Sequence, residues 1–436
     1  MIQNSKLLLL ALLLAAWCAP AVGQVAVAPP AERETRAQSS VTLEETLRRS
    51  LRYNPEIAKL GAALADKLAR AIETEVKLNP AFKATAGRTS DNEGVGTALE
   101  FEIEQPLRPS DFGLRRTYAD ALRVAASLEQ QADVLRVLNA TAVAYYRAWA
   151  LQERAGLLGG ARHEADDVLA TIQQQLEAGQ SNVSQRNIFE AEAARFSAEL
   201  LAVRGEQAGA RAELERATGL QLAETRLIRP PWSPLPSTGA LSAFAESRSG
   251  IRRIAVAQRA AAAKNLSVAR ADAVFPEFAP GLIAGYGSRN DQNEFGVTIA
   301  GRLPIWDRNR SEIVRAHGAL DAAERELASF DRVSLQHSIA ARREQLVNLQ
   351  ARAAAYREKV LPAYRAAYEA TMAQFRAGQA TTLQLFEVQR SLIEAQEKSF
   401  ESAVEALSAR THLEQLIGGR LEEVGTAGTT RPAGNK

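Results

Sequence analysis

The chain has 436 residues, 46% of them hydrophobic and 24% charged, the composition of a folded rather than a disordered protein. Its 53 basic side chains nearly balance 51 acidic ones, leaving a formal charge of +2. That balance gives no footprint for nucleic acid or another polyanion as partner.

Residues 1–23 read as a secretion signal: Lys6 precedes the apolar run "LLLLALLLAAW", and Ala21, Val22 and Gly23 put small residues before a cut at Gln24. Cys18 is the only cysteine, so no intrachain disulfide can form, and Trp17 occupies the place where lipidation needs a small residue. Beyond the signal no run of about eighteen apolar residues occurs, so any membrane insertion must be by strands.

Residues 24–220 form a first repeat: a helix over 54–79, a hairpin over 81–107, a very long helix over 113–177, a tip at 178–183 and a helix over 184–217. In the hairpin, Leu99, Phe101 and Ile103 alternate with Glu100, Glu102 and Glu104, while Phe82, Ala84 and Ala86 alternate with Lys83 and Thr85, the period-two mark of strands with one apolar face. In the long helix, Leu128, Leu135, Leu138, Ala142, Tyr145 and Trp149 keep three-four spacing, which suits a coiled coil or a bundle core equally. A connector at 221–247 carries "RPPWSPLPSTG", too rich in proline for helix.

The same plan then recurs roughly 200 residues later. Residues 248–418 give a helix over 248–275, a hairpin over 277–305, a long helix over 310–377, a tip at 378–380 and a helix over 381–417, followed by a flexible tail at 419–436. The turn "EAGQ" at 177–180 returns as "RAGQ" at 376–379; Pro106 answers Pro304, Gly219 answers Gly418 and Pro80 answers Pro276. At 1.5 Å per residue the long helices span roughly 98 and 102 Å, far beyond what a globular layer uses.

An open four-stranded sheet cannot cross a bilayer, because its edge groups would lack partners in lipid. Four strands per chain therefore demand at least two chains, and three chains would give twelve strands. The alternative is a small soluble sheet packed under helices. No phosphate-binding loop is present, and the paired glycines of "GVGTAL" and "GLIAGYGSRN" sit in strands rather than at a helix start. His163, His317, His337 and His412 are scattered without ligand spacing, so no catalytic, cofactor or metal site is expected and the protein reads as no enzyme. The chemical candidates are Glu100, Glu102 and Glu104, which would line a pore with Lys83 and Arg302, and the two tips at Gly179, Gln180 and Ser181 and at Gly378, Gln379 and Ala380. Gly179 and Gly378 suit left-handed helix ends, with Ser181, Asn182, Thr381 or Thr382 capping the next helix.

The repeat plan, the opening "TLEETLRRSLRYNPEI" at 42–57, and the "AGQ" tips followed by "IFEAEAARFSAEL" and "LFEVQRSLIEAQ" resemble the TolC-like outer-membrane efflux factors, over about residues 40 to 420. The stretch "LPIWDRNRSEIVRA" at 303–316 is similar to the cobalt-zinc-cadmium branch, which serves heavy-metal resistance-nodulation-division (RND) pumps. The resemblance implies a mainly α protein with β-hairpins: a homotrimer with a twelve-stranded barrel in outer-membrane lipid and a twelve-helix tunnel through the periplasm. It also implies a periplasmic adaptor docked at the tips and an inner-membrane RND pump. A tyrosine and an arginine that lock the tunnel in the family fall on Phe375 and Ala380, and its entrance acids fall on Gln384 and Glu387, with a further one at Gln185, so the ionic lock is missing. The expected function is the passive exit duct of a tripartite efflux system for heavy-metal cations. A drug efflux or type I secretion duct of the same fold, and a periplasmic adaptor or structural coiled-coil protein, are the alternatives.

Overall fold

The computed structural model describes residues 40–427 except 92–93, 178–181, 223–224, 233 and 288–291. The signal segment with Cys18, the first-tip residues Gly179, Gln180 and Ser181, and the tail beyond residue 427 lie outside the described residues. The chain is mainly helical. β1 (Ser40–Val41) leads into α1 (Leu43–Tyr53), capped by Thr42, and α2 (Pro55–Glu75) starts where the Asn54 side chain accepts from Glu56 N at 2.9 Å and Pro55 gives up no needed donor. The expected helix over 54–79 is thus shorter and is preceded by a second one.

β2 (Ala81–Asp91) and β3 (Gly94–Glu104) form the first hairpin, and α3 (Leu114–Glu177) then runs unbroken for 64 residues, about 96 Å. α4 (Val183–Thr218) is capped by Asn182 and ends at Gly219 in the left-handed region, φ 68°. The connector holds β4 (Arg226–Leu227), which pairs in parallel with β1, and α5 (Thr238–Arg248). After α6 (Gly250–Val274), β5 (Phe278–Gly287) and β6 (Gln292–Gly301) make the second hairpin.

The second long helix departs from expectation. It is divided into α7 (Arg310–Ser329), α8 (Arg332–Ala355), one π-turn at Tyr356–Val360 and α9 (Leu361–Arg376). Asp331 Oδ1 accepts from Ser334 N at 2.7 Å and so starts a new helix. Pro362 has no N–H to give the carbonyl of Glu358, and the preceding turn widens until Leu361 N reaches Tyr356 O. α10 (Thr382–Ile417) ends at Gly418, φ 79°. The expected flexible tail is a short helix, α11 (Leu421–Ala427), as far as it is described: Leu421 and Val424 are buried and Leu421 N donates to Glu414 Oε1 at 3.1 Å.

The sheet runs β2-β3-β5-β6, antiparallel throughout, with β2 and β6 as open edges, so one chain closes no barrel. The main core lies among α3, α4 and the connector around Tyr145, Trp149, Phe196, Leu200 and Leu214. The Tyr145 hydroxyl lies 2.9 Å from Val41 O and 2.6 Å from Ile228 O, tying α3 to β1 and to the residue just past β4. The expected seam residues Ala142, Tyr145 and Trp149 are thus core residues within the chain.

Candidate functional site

In an antiparallel sheet, residues directly opposite share a face. The register puts Phe82 beside Ile103, Ile103 beside Leu282 and Leu282 beside Val297; one step along, Phe101, Ala284 and Phe295 form a second row. Phe82, Phe101, Ile103, Leu282, Phe295, Val297 and Ile299 are all exposed, and Phe82 and Phe101 stack at 6.3 Å. A sheet that turned its apolar face to a water-soluble core would bury these side chains. Here that face is left exposed.

The opposite face carries Glu100, Glu102 and Glu104, all half-buried. Glu102 lies 3.6 Å from Lys83 Nζ and accepts from Thr298 Oγ1 at 3.1 Å. The expected sharing of that face by a lysine therefore holds as an ion pair, whereas Arg302 stands beyond the end of β6, its N–H bound to Glu277 O at 3.2 Å. Glu294 also lies on this face, across Gly285 from Glu100. Sequence reasoning missed it, although its parity opposite to Phe295 was readable. Glycine lets the strands crowd here: a Cβ at Gly281 would stand 2.6 Å from Thr298 Oγ1 and 2.9 Å from Ile103 O, and one at Gly296 2.9 Å from Ile283 Cγ2.

At the far end of the helices, Gly378 takes φ +72° and its N–H donates to Phe375 O at 3.0 Å, while Gln379 N donates to Gln374 O at 2.8 Å. Gly378 and Gln379 are exposed and Ala380 packs at the edge of the local apolar cluster. Gln384, expected at the entrance, acts as a cap: its Oε1 accepts from Thr381 N at 2.8 Å and its N–H donates to Thr381 Oγ1 at 3.3 Å. Glu387 is exposed.

Phe375 is the third residue expected at the entrance. It is only 7% exposed, packed with Val168, Ile172, Phe189, Tyr368 and Leu385, its ring 6.5 Å from that of Phe189. Tyr368, Met372 and Phe375 share one face of α9 that is turned to α3 and α4. The Tyr368 hydroxyl donates to Glu164 Oε2 at 2.9 Å, and Arg195 stacks over both Phe196 and Phe386. Burial, with the Glu164 charge beside it, pushes the Tyr368 phenol up. The two helical hairpins are thus joined near the tip by packing and a hydrogen bond. Among the described residues, no three His, Cys, Asp or Glu converge to hold a metal, and no helix is long and apolar enough to cross a membrane.

Residues 246–419 match the family described as "Outer membrane efflux protein". The chain is 25% identical to the pyoverdine export outer membrane protein OpmQ of Pseudomonas putida, over 93% of this chain and 91% of that protein. It is 27% identical to the cobalt-zinc-cadmium resistance protein CzcC of Cupriavidus metallidurans, over 32% of this chain and 34% of that protein. In fold it is similar to the crystal structure of the outer membrane protein VceC of Vibrio cholerae, with a TM-score of 0.69 at 20% identity, over 87% of this chain and 96% of that one. These matches imply an outer-membrane location and a channel rather than an enzyme. The resemblance to the TolC-like outer-membrane efflux factors is borne out, by the family match in the second half and by the OpmQ and VceC likenesses over most of the chain.

Proposed function

We propose that this protein is the outer-membrane exit duct of a tripartite efflux system, a homotrimer whose three open sheets close into one twelve-stranded barrel. The observation that carries this reading is the sheet: its outer face is apolar and exposed, and both edges are unpaired. Within lipid each unpaired edge group is costly, and joining β2 of one copy to β6 of the next removes every edge. Strands of 10 to 11 residues, tilted about 40°, rise roughly 25–28 Å, close to the apolar band of an outer-membrane barrel. The helices then continue as the periplasmic tunnel, the two halves of the chain acting as repeats. The tips at 178–183 and 378–380 dock a periplasmic adaptor, and an inner-membrane RND pump supplies the energy.

For cargo, the stretch 303–316, the CzcC likeness and the carboxylates of the inner face favour heavy-metal cations. A second reading, export of a small organic molecule, is favoured by the OpmQ likeness, which spans 93% of the chain rather than a third of it. A deletion strain tests both. Loss of zinc, cadmium and cobalt tolerance, restored by the gene, supports metal export. Unchanged metal tolerance with lost siderophore or drug export supports the second, and a full-length protein that is a water-soluble monomer refutes the duct.

A further inference from the structure

The two junctions between sheet and long helices are built differently. At the first, two arginines are held by carboxylates: Arg108 donates to Asp111 Oδ1 from Nε at 3.2 Å and from Nη2 at 3.0 Å, and Arg115 donates to Ser110 Oγ at 2.6 Å and to Asp272 Oδ2 at 2.8 Å, with Arg116 alone left exposed. At the second, residues 302–310, Arg302, Arg308 and Arg310 are exposed and none is held by a carboxylate among the described residues. The one acid there, Asp307, accepts from Asn309 N at 2.9 Å.

The same loop shows Leu303, Ile305 and Trp306 to the outside, Trp306 at 91% exposure. These continue the outward apolar row of Phe295, Val297 and Ile299 past the end of β6. Phe112 of the first junction, also exposed, stacks on Phe278 at the same end of the sheet. The loop is fixed at both ends: Arg302 N donates to Glu277 O at 3.2 Å, and Asn309, at φ 55°, donates through Nδ2 to Ala269 O at 3.0 Å.

We infer that the 302–310 loop is a lipid-headgroup site at the helix-side rim of the sheet, with Trp306, Ile305 and Leu303 in the acyl boundary and Arg302, Arg308 and Arg310 on the phosphate of an anionic phospholipid. The occupant follows from continuity with the lipid-facing sheet and from charge. Guanidinium groups pair with phosphate oxygens in two-point geometry, and an indole is stable where one side is apolar and the other wet. The site rests on the membrane-barrel reading, and it sets the depth of the barrel and selects which lipids surround it.

The test uses full-length protein reconstituted in phosphatidylcholine vesicles, with dibrominated chains placed either on phosphatidylcholine or on phosphatidylglycerol at equal total bromine. The difference in emission between wild type and Trp306→Phe reports Trp306 alone. The expected result is quenching of that emission, stronger with brominated phosphatidylglycerol by an enrichment of at least about fivefold, since one arginine near an anionic surface accounts for about that factor. Exchanging Arg302, Arg308 and Arg310 for Gln should abolish the lipid preference and keep both the quenching and the conductance. Protein that conducts but leaves Trp306 unquenched, as when a neighbouring copy covers it, or that is quenched equally by both lipids, overturns this site and leaves the duct standing. Protein that neither floats with vesicles nor conducts overturns the barrel reading itself, and the site with it.

Discussion

Val297 lies in the middle of β6, opposite Leu282, with 76% of its surface exposed. Were that face washed by water, Val297→Arg would change stability by no more than about 0.5 kcal/mol. Facing hydrocarbon, the guanidinium costs about 2–4 kcal/mol near the bilayer midplane, a drop of about 30- to 900-fold in the folding constant. Glu294→Arg is the control: it brings the same side chain to the same strand three residues away, on the inner face, where about 0.5 kcal/mol or less is expected. Urea unfolding of protein folded into thin phosphatidylcholine vesicles, followed by tryptophan emission and by the heat-dependent shift in gel mobility, measures both. If Val297→Arg and Glu294→Arg unfold at the same urea concentration as wild type, the outer face of the sheet does not meet lipid.

Phe375→Ala removes a ring from the cluster with Phe189 and Tyr368 and should cost about 3–5 kcal/mol, seen as a lower helical melting temperature by circular dichroism with barrel insertion unchanged. Asp331→Ala should lower the same transition by deleting the cap of α8, with Asp331→Asn restoring most of it. The hydrogen bonds from Ser334 hold the Asp331 carboxyl below its usual 3.8, so this support is present above that pH and fades as pH falls through the lowered value. Burial pushes the Tyr146 phenol from 10.0 up to about 12, so stability is unaffected below pH 10 and declines between 10 and 12 as the unfolded chain ionises first. Tyr146→Phe should flatten that decline in alkaline melts by up to one proton. Reversing Glu100, Glu102 and Glu294 to Lys should move the single-channel reversal potential from cation toward anion preference, and an unchanged potential would take these acids out of selectivity.

What was legible in the sequence was whatever a single local period writes. The hairpin strands, with parity fixing Glu100, Glu102 and Glu104 on one face, and the unbroken first long helix are of that kind. Two interruptions of the second long helix also had local signals, Asp331 three residues before Ser334 and Pro362 inside an apolar-periodic run, but both were outweighed by the length of the pattern. The place of Phe375 was not legible in the same way. Sequence position against a relative says how far it stands from Gly378, whereas its burial depends on which face of α9 meets Phe189 and Ile172, residues roughly 200 positions away. Glu294 stands beside the turn of its hairpin, where the apolar alternation of β6 has only begun, and α11 is short and depends on the buried Glu414 that receives its first N–H.

The asymmetry between the two long helices has a physical consequence for the whole bundle. α3 runs as one helix for 64 residues, whereas the path from Arg310 to Arg376 loses ladder bonds at Phe330–Asp331 and at the π-turn before Pro362. Those are the places where the second path can change direction at low cost. Its far end is nevertheless tied to α4 and α3 by the Phe189–Phe375 packing and the Tyr368–Glu164 hydrogen bond, and its near end by the Asn309–Ala269 bond to α6. A chain held at both ends and softened in between adopts the curvature its neighbours impose. In this protein those neighbours are α6 along α7 and α10 along α8 and α9.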